Sequence, residues 1–247
     1  MLKTLHYCHL EISRLMTIWK LEKTHRGKIR RSGFWAAILA LPLATAAAPA
    51  QGPLKATAQS LTAAQETAEY TAIEDYLEGI KTLSADFIQE GPDGTMAEGS
   101  MHLKRPGKLR FDYGKDSPLL LVSDGSILTF VDNDVKQVTR WPINDTPLGI
   151  LVAKKVDLKK DVNVTSMTRG GGLLKVTVKD PKHAEQGYIT LIFNAAPLEL
   201  RAWEVTDSQG LKTRVTLMNP EKNVAVNDRL FTFKDPRVLP LTGNRRH

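Results

Sequence analysis

The sequence predicts a mainly β protein: one large antiparallel sheet of about ten strands, curled or closed, with two small helical elements to cover it. Three observations carry that prediction. Apolar residues alternate with period two through most of the chain from residue 82 onward. Turn-forming pairs and triplets, Asp124-Gly125, Gly170-Gly171-Gly172, Ala196-Pro197 and Ser208-Gln209-Gly210, separate most of the alternating runs. Helical periodicity is confined to two short places, so there is too little helix to build a separate layer on each face of the sheet.

The elements follow in order. Residues 1–50 carry a basic stretch "HRGKIRRSG", an apolar run "FWAAILAL" and a small, alanine-rich "PLATAAAPAQ". That succession is a secretory signal peptide, with cleavage expected after Ala46 or Ala50. The apolar run, Phe34 to Leu43, falls short of the roughly 20 residues that span a bilayer. Met16 is an alternative start, and Arg30-Arg31 raises the twin-arginine export route beside the ordinary one. Residues 51–68, rich in Ala, Thr and Gln, read as a flexible linker. Thr71-x-x-Glu74 has capping-box spacing, and Ile73, Tyr76, Leu77, Ile80 and Leu83 recur at helical intervals, which places the first helix over about 69–81. The runs "LSADFIQEG", "TMAEGSMHLK" and "KLRFDY" then alternate as strands. "PLLLVSDGSILTFVD" reads as a hairpin about Asp124-Gly125. "VKQVTRW" follows, and then a helical interruption in which Asp145 or Thr146 caps, Pro147 opens and "LGILVAKK" supplies apolar residues. The remaining strands are "VNVTSMT", "LLKVTVK", "YITLIFN", "LELRAWEVTD", "KTRVTLMN" and a terminal "LFTF". Residues 69–240 thus form a single domain, and 241–247 a basic tail.

Charge and cysteine usage narrow the function classes. The formal net charge is +7. Residues 1–50 hold eight basic against two acidic side chains, while the remaining 197 residues hold 26 basic and 25 acidic. The excess belongs to the leader, so the domain has no phosphate footprint and no nucleic-acid partner is expected. Cys8, the sole cysteine, lies in the leader, so the exported chain has neither disulfide nor thiolate. No cysteine follows the apolar run to accept a lipid. Catalysis is not expected either. The exported chain holds only His102, His183 and His247, with no G-x-S-x-G or H-E-x-x-H motif. His102 is expected to be exposed or at a polar rim, and His183 to lie in a loop. The segment "DNDV" lacks the rest of a calcium loop, and the glycine triplet lacks a following Lys-Ser/Thr, so neither metal nor cofactor is expected.

A curved sheet with one apolar face must cover it, and two short helical pieces leave a concavity. Candidate lining residues are Ile73, Leu77, Ile80, Phe87, Met101, Leu103, Leu109, Phe111, Leu128, Phe130, Leu148, Leu151, Ile189, Leu191 and Trp203. Each of them fits an ordinary core equally well. The stretch "SMHLKRPGKLRFDYG" sets Lys104, Arg105 and Lys108 about Pro106-Gly107, between apolar alternations. From the residues alone, Arg105 is either a solvated strand end or a cation at the mouth of an apolar cavity.

The successive segments "LSADFIQ", "EGSMHLKRPGKLRFDY", "LLVSDGSILTFVD", "TPLGILVAK" and "FTFKDP" resemble the motifs of the LolA family, periplasmic carriers of outer-membrane lipoproteins. The resemblance covers Ile73 to Pro236, and K-R-P followed by V-S-D-G is its specific part. It departs in Gly107-Lys108-Leu109-Arg110-Phe111, where the family is usually more aromatic, and in a longer linker. The resemblance implies an unclosed β-barrel of about 10–11 strands under a helical lid, with an apolar interior for acyl chains. It implies acylated lipoproteins as cargo, an inner-membrane ABC-type release complex as donor, an outer-membrane receptor of similar fold as acceptor, and action as a monomer in the periplasm. It also implies a role for Arg105, which matches the family arginine whose guanidinium bonds lid backbone and latches the barrel without cargo. The same fold would also serve a carrier of glycolipid or another amphiphile, or a regulatory domain that senses lipoprotein.

Overall fold

A computed structural model of the protein describes residues 59–60, 63–160 and 162–238. The signal peptide, its cleavage sites, most of the linker and the 241–247 tail lie outside the described residues. Those residues form one sheet in which every neighbouring pair is antiparallel. Its strands are β1 (Gln59–Ser60), β2 (Thr82–Glu90), β3 (Met96–Lys104), β4 (Lys108–Asp112), β5 (Leu119–Asp124), β6 (Ile127–Asp132), β7 (Gln137–Pro142), β8 (Asn163–Gly170), β9 (Leu173–Lys179), β10 (Tyr188–Ala195), β11 (Leu198–Thr206) and β12 (Lys212–Lys222). Their order across the sheet is β1-β8-β9-β10-β11-β12-β2-β3-β4-β5-β6-β7. The two-residue β1 and β7 stand at opposite edges and do not pair, so the barrel is unclosed, as expected.

Alternation decides which side of each strand is buried. Leu83, Ala85 and Phe87 of β2 stand opposite Leu103, Met101 and Gly99 of β3, and Leu103 and Met101 stand opposite Leu109 and Phe111 of β4. On the other wing Leu174, Val176 and Val178 stand opposite Phe193, Leu191 and Ile189. All these apolar side chains are buried in one core. Helix α1 (Ala63–Gly79) and the single-turn helix α2 (Gly149–Val152) bring Ile73, Leu77, Leu151 and Val152 to the same core. The tight β5–β6 turn depends on Asp124, whose Oδ1 accepts from the amides of Ser126 and Ile127, and on Gly125 at φ +123°.

Three elements differ from the sequence expectation. Helix α1 begins at Ala63 rather than about residue 69, inside the stretch read as linker, and ends at Gly79. Its C-terminus is fixed by Asn223, whose amide donates to Gly79 O while its Oδ1 accepts from the Lys81 amide. Helix α2 is four residues long, with Leu148 as an N-cap that has no capping side chain. The terminal "LFTF" is not a strand. Asp228–Phe231 forms a 3-10 turn packed against β4 and β5, followed by extended chain. This strap lies on the outward side of β4. Lys104 and Lys108 both reach Asp228, at 2.8 and 2.7 Å, and Arg110 donates to Leu230 O. Phe231 buries its ring there, and side-chain donors rather than a strand ladder hold the segment.

Candidate functional site: an apolar cavity under a polar-fastened lid

On the concave face the wall from β4 to β7 meets β11 and β12 around a cavity of about 190 Å³. Its walls include Phe111, Tyr113, Leu121, Phe130, Trp141 and Trp203, and Thr146, Pro147 and Leu148, from the segment between β7 and α2, border it as well; the segment from Asp145 to Leu158 is the candidate lid. The aromatic corner is ordered by edge-to-face contacts: Phe87 lies 5.1 Å from Phe111 and 5.3 Å from Tyr113, and Phe111 lies 6.0 Å from Trp203. Tyr113 keeps its hydroxyl satisfied by donating to Gln89 Oε1 at 2.9 Å, and burial pushes that hydroxyl above its usual range.

The candidate lining residues divide into two groups. Phe111, Leu128, Phe130, Leu148 and Trp203 line the cavity. Ile73, Leu77, Ile80, Phe87, Met101, Leu103, Leu109, Leu151, Ile189 and Leu191 are buried in the packed core beside it. Apart from the half-buried Leu148, all fifteen are buried. The part of the concavity that the ten core residues occupy is therefore filled. Tyr113, Leu121, Trp141, Val205 and Val215 also line the cavity without having been singled out. Tyr113 was within reach of the "KLRFDY" alternation; Leu121 sits in an unbroken apolar run that hides its face.

The candidate lid is held by polar groups acting on its backbone. Arg105 follows the end of β3 and donates from Nη1 to Ala153 O at 2.7 Å. The Gly107 amide donates to Val152 O at 2.8 Å. These two bonds satisfy carbonyls that the end of α2 leaves without helical partners. On the other side of the loop, Glu78 Oε1 accepts from the Val156 amide at 3.1 Å and Glu74 Oε1 accepts from the Leu158 amide at 2.7 Å. Glu74 and Glu78 are four apart and so share one face of α1. Burial brings the Arg105 guanidinium down to about 10, against the opposing pull of the Glu78 carboxylate, so it stays cationic at neutral pH. Its Nε is buried without a partner, so the guanidinium uses less than its full donor capacity in this closed arrangement.

Gly107 also has no room for a side chain. Its φ is +75°, and a Cβ there would lie 2.0 Å from Gly125 O. Gly107→Ala is expected to lower stability by at least about 1–3 kcal/mol, the usual scale of such backbone strain; urea unfolding checks it.

His102, on the convex face, lies 2.9 Å by Nδ1 from Ser84 Oγ, and burial is the main cause that lowers its pKa. Among the described residues no group of three or more His, Cys, Asp or Glu is placed to hold a metal ion.

The chain is similar to known proteins over most of this domain. The family described as outer membrane lipoprotein carrier protein LolA matches residues 78–234. The outer-membrane lipoprotein carrier protein of Chromobacterium violaceum is 30% identical over 209 residues, covering 82% of this chain and 97% of that protein. Its counterpart in Methylococcus capsulatus is 28% identical over 180 residues, covering 69% and 86%. Among solved structures, a LolA superfamily protein of Nitrosomonas europaea matches with a TM-score of 0.36 at 11% identity, covering 66% of this chain and 97% of that one.

Proposed function

The chain belongs to the LolA family of outer-membrane lipoprotein carriers, and from that premise we propose that it shuttles acylated lipoproteins across the periplasm. It takes them from an inner-membrane ABC-type release complex, shelters their acyl chains on its concave face, and passes them to an outer-membrane receptor. Arg105 is the latch of the empty state.

The observation that carries this reading is the apolar cavity bordered by a segment whose fastenings are polar. Each methylene removed from water is worth about 0.8 kcal/mol, so a long acyl chain carries on the order of 10 kcal/mol against free diffusion. A carrier has to offset that and still let go. The cavity of about 190 Å³ is smaller than the ~300–1,000 Å³ that holds a drug-sized ligand. Entry of an acyl chain therefore requires the lid to move. Closure then competes with cargo for the same apolar surface, and the closed state draws the equilibrium toward delivery. Hydrogen bonds from Arg105, Glu74 and Glu78 to backbone suit such a lid, because water can replace them when it opens.

The test is capture. Inner-membrane vesicles loaded with an acylated lipoprotein and its release complex are supplied with ATP and the mature chain. A soluble one-to-one complex is expected, and an unacylated lipoprotein variant should form none. Retention of the lipoprotein in the membrane pellet would overturn the assignment; binding of a glycolipid under the same conditions would redirect it to that cargo.

A further inference from the structure

Asp145 and His183 are far apart in the chain and meet beside the lid. Asp145 ends the 3-10 turn Ile143–Asp145 that leads from β7 into the lid. His183 belongs to the loop between β9 and β10, just before a second 3-10 turn. Its Nδ1 lies 2.9 Å from Asp180 Oδ2, on its own loop, and its Nε2 lies 3.6 Å from Asp145 Oδ1, on the lid approach. In the imidazolium form both ring nitrogens are donors, so the ring ties two carboxylates from separate elements. The Asp180 contact is a hydrogen bond; the Asp145 contact, at its length, is an ion pair.

This junction lines one of two cavities that meet at the residues directly after it. The apolar one is described above. The other, about 390 Å³, has a mixed lining that includes Asp145, Ile150, Lys155, Lys160, Lys182 and Tyr188. Thr146 and Pro147 line both cavities. The two spaces thus share, as part of their walls, the segment that directly follows Asp145.

We propose that the Asp145–Pro147 segment is a gate between two compartments of one chamber, and that His183 is the positioning residue that fastens it. With the gate shut, an acyl chain has the apolar compartment alone. With it lifted, the apolar space runs into a polar one, which suits an amphiphile that carries its acyl chains and its polar portion side by side. Arg105 holds the far end of the same lid at Ala153, so the lid has two independent fastenings. This deepens the carrier reading and rests on it for the identity of the cargo.

The fastening responds to pH. The charged groups around His183 are Asp180, Lys182 and Glu185 on its own loop and Asp145 on the lid approach. Lys155, Asp157 and Lys160, from the turn after α2, and Tyr188 of β10 line the same cavity. The hydrogen bond to Asp180 raises the His183 pKa above its ordinary 6.5, burial opposes it, and the charges of Asp145, Asp180 and Glu185 add to the rise. A group whose folded pKa is raised contributes its stabilisation below the ordinary value and loses it as pH rises through the raised one. Asp180 lies on the same loop as His183, so the part of this loss that reaches the gate is the ion pair with Asp145, which is held at acidic pH and loosens towards alkaline pH.

The experiment follows uptake of the fluorescent apolar probe ANS by the mature chain from about pH 5 to about pH 8, the span of imidazole titration. Uptake by the native chain is expected to rise about two- to fivefold with pH, the factor appropriate to a half-exposed ion pair. His183→Gln and Asp145→Asn, each with Arg105 intact, should be flat with pH at the high level. Amide exchange should quicken at Gly149 and Leu151 in both variants and stay unchanged in β9–β11. A flat native profile overturns the gate, and so does a native-like profile in both variants. The probe contains no lipoprotein, so failed lipoprotein capture overturns the carrier reading and leaves the gate standing.

Discussion

Replacing Arg105 with leucine is expected to leave cargo uptake intact and to slow delivery roughly 10- to 150-fold, the factor that corresponds to the ~1.5–3 kcal/mol of a charge-assisted hydrogen bond. The bond at stake is Nη1 to Ala153 O. Leucine fills part of the same volume and donates nothing, so the α2 carbonyl is left to water and the closed state weakens. Cargo then meets less competition for the concave face and stays bound. The stability of the variant to urea unfolding should fall by no more than the ~1.5–3 kcal/mol of that one bond, with the slope unchanged, which a general folding defect would not produce. Transfer of preloaded lipoprotein to outer-membrane vesicles provides the measurement. Delivery at the native rate would remove Arg105 from the mechanism.

Trp203→Ala is the substitution with the largest expected effect on stability. Trp203 is 1% exposed, stands opposite Leu191 and Val215 in its neighbouring strands, and touches the Phe111 ring edge. It also forms part of the cavity wall. Truncation deletes the indole where the cavity prevents neighbours from closing in, so a loss of about 3–5 kcal/mol is expected. The urea midpoint should fall with the slope unchanged, because the surface exposed on unfolding is nearly the same. The enlarged space should also take up ANS more strongly than the native chain. A stability loss under about 1 kcal/mol would mean that the site collapses freely, against the packing described for it.

How far the sequence could be read depended on whether a feature is local. The β5–β6 hairpin was legible because Asp124-Gly125 is a turn by its own chemistry, and strand faces were legible because alternation is a property of the backbone. The first two turns of α1 were not, because Gln65, Thr67 and Ala68 are exposed and carry no apolar stripe before Tyr70. Alternation separates inward from outward but not filled from empty: Leu109 and Phe111 share a strand face, yet Leu109 packs into the core while Phe111 lines the cavity. The segment "RLFTF" has a strand's composition, and its place outside β4 is decided by Lys104, Lys108 and Arg110, more than a hundred residues earlier. Glu74 and Glu78 carried a helical-face signal but none for the amides they accept from. The meeting of Asp145 with His183 follows from the crossing of two loops and has no sequence spacing at all.

That β1 and β7 do not pair with each other has a mechanical consequence. In a closed barrel, widening the lumen means breaking ladder hydrogen bonds or changing strand tilt all round the ring. Here much of the cavity wall, from Phe111 to Trp141, belongs to the leaf that ends at β7. That leaf can splay outward like a book cover by altering the twist between neighbouring strands, with every ladder bond kept. Such a movement would spread its elastic penalty over many residues, and it would be opposed by the contacts that tie Arg140 of β7 to Asp235 and Phe233.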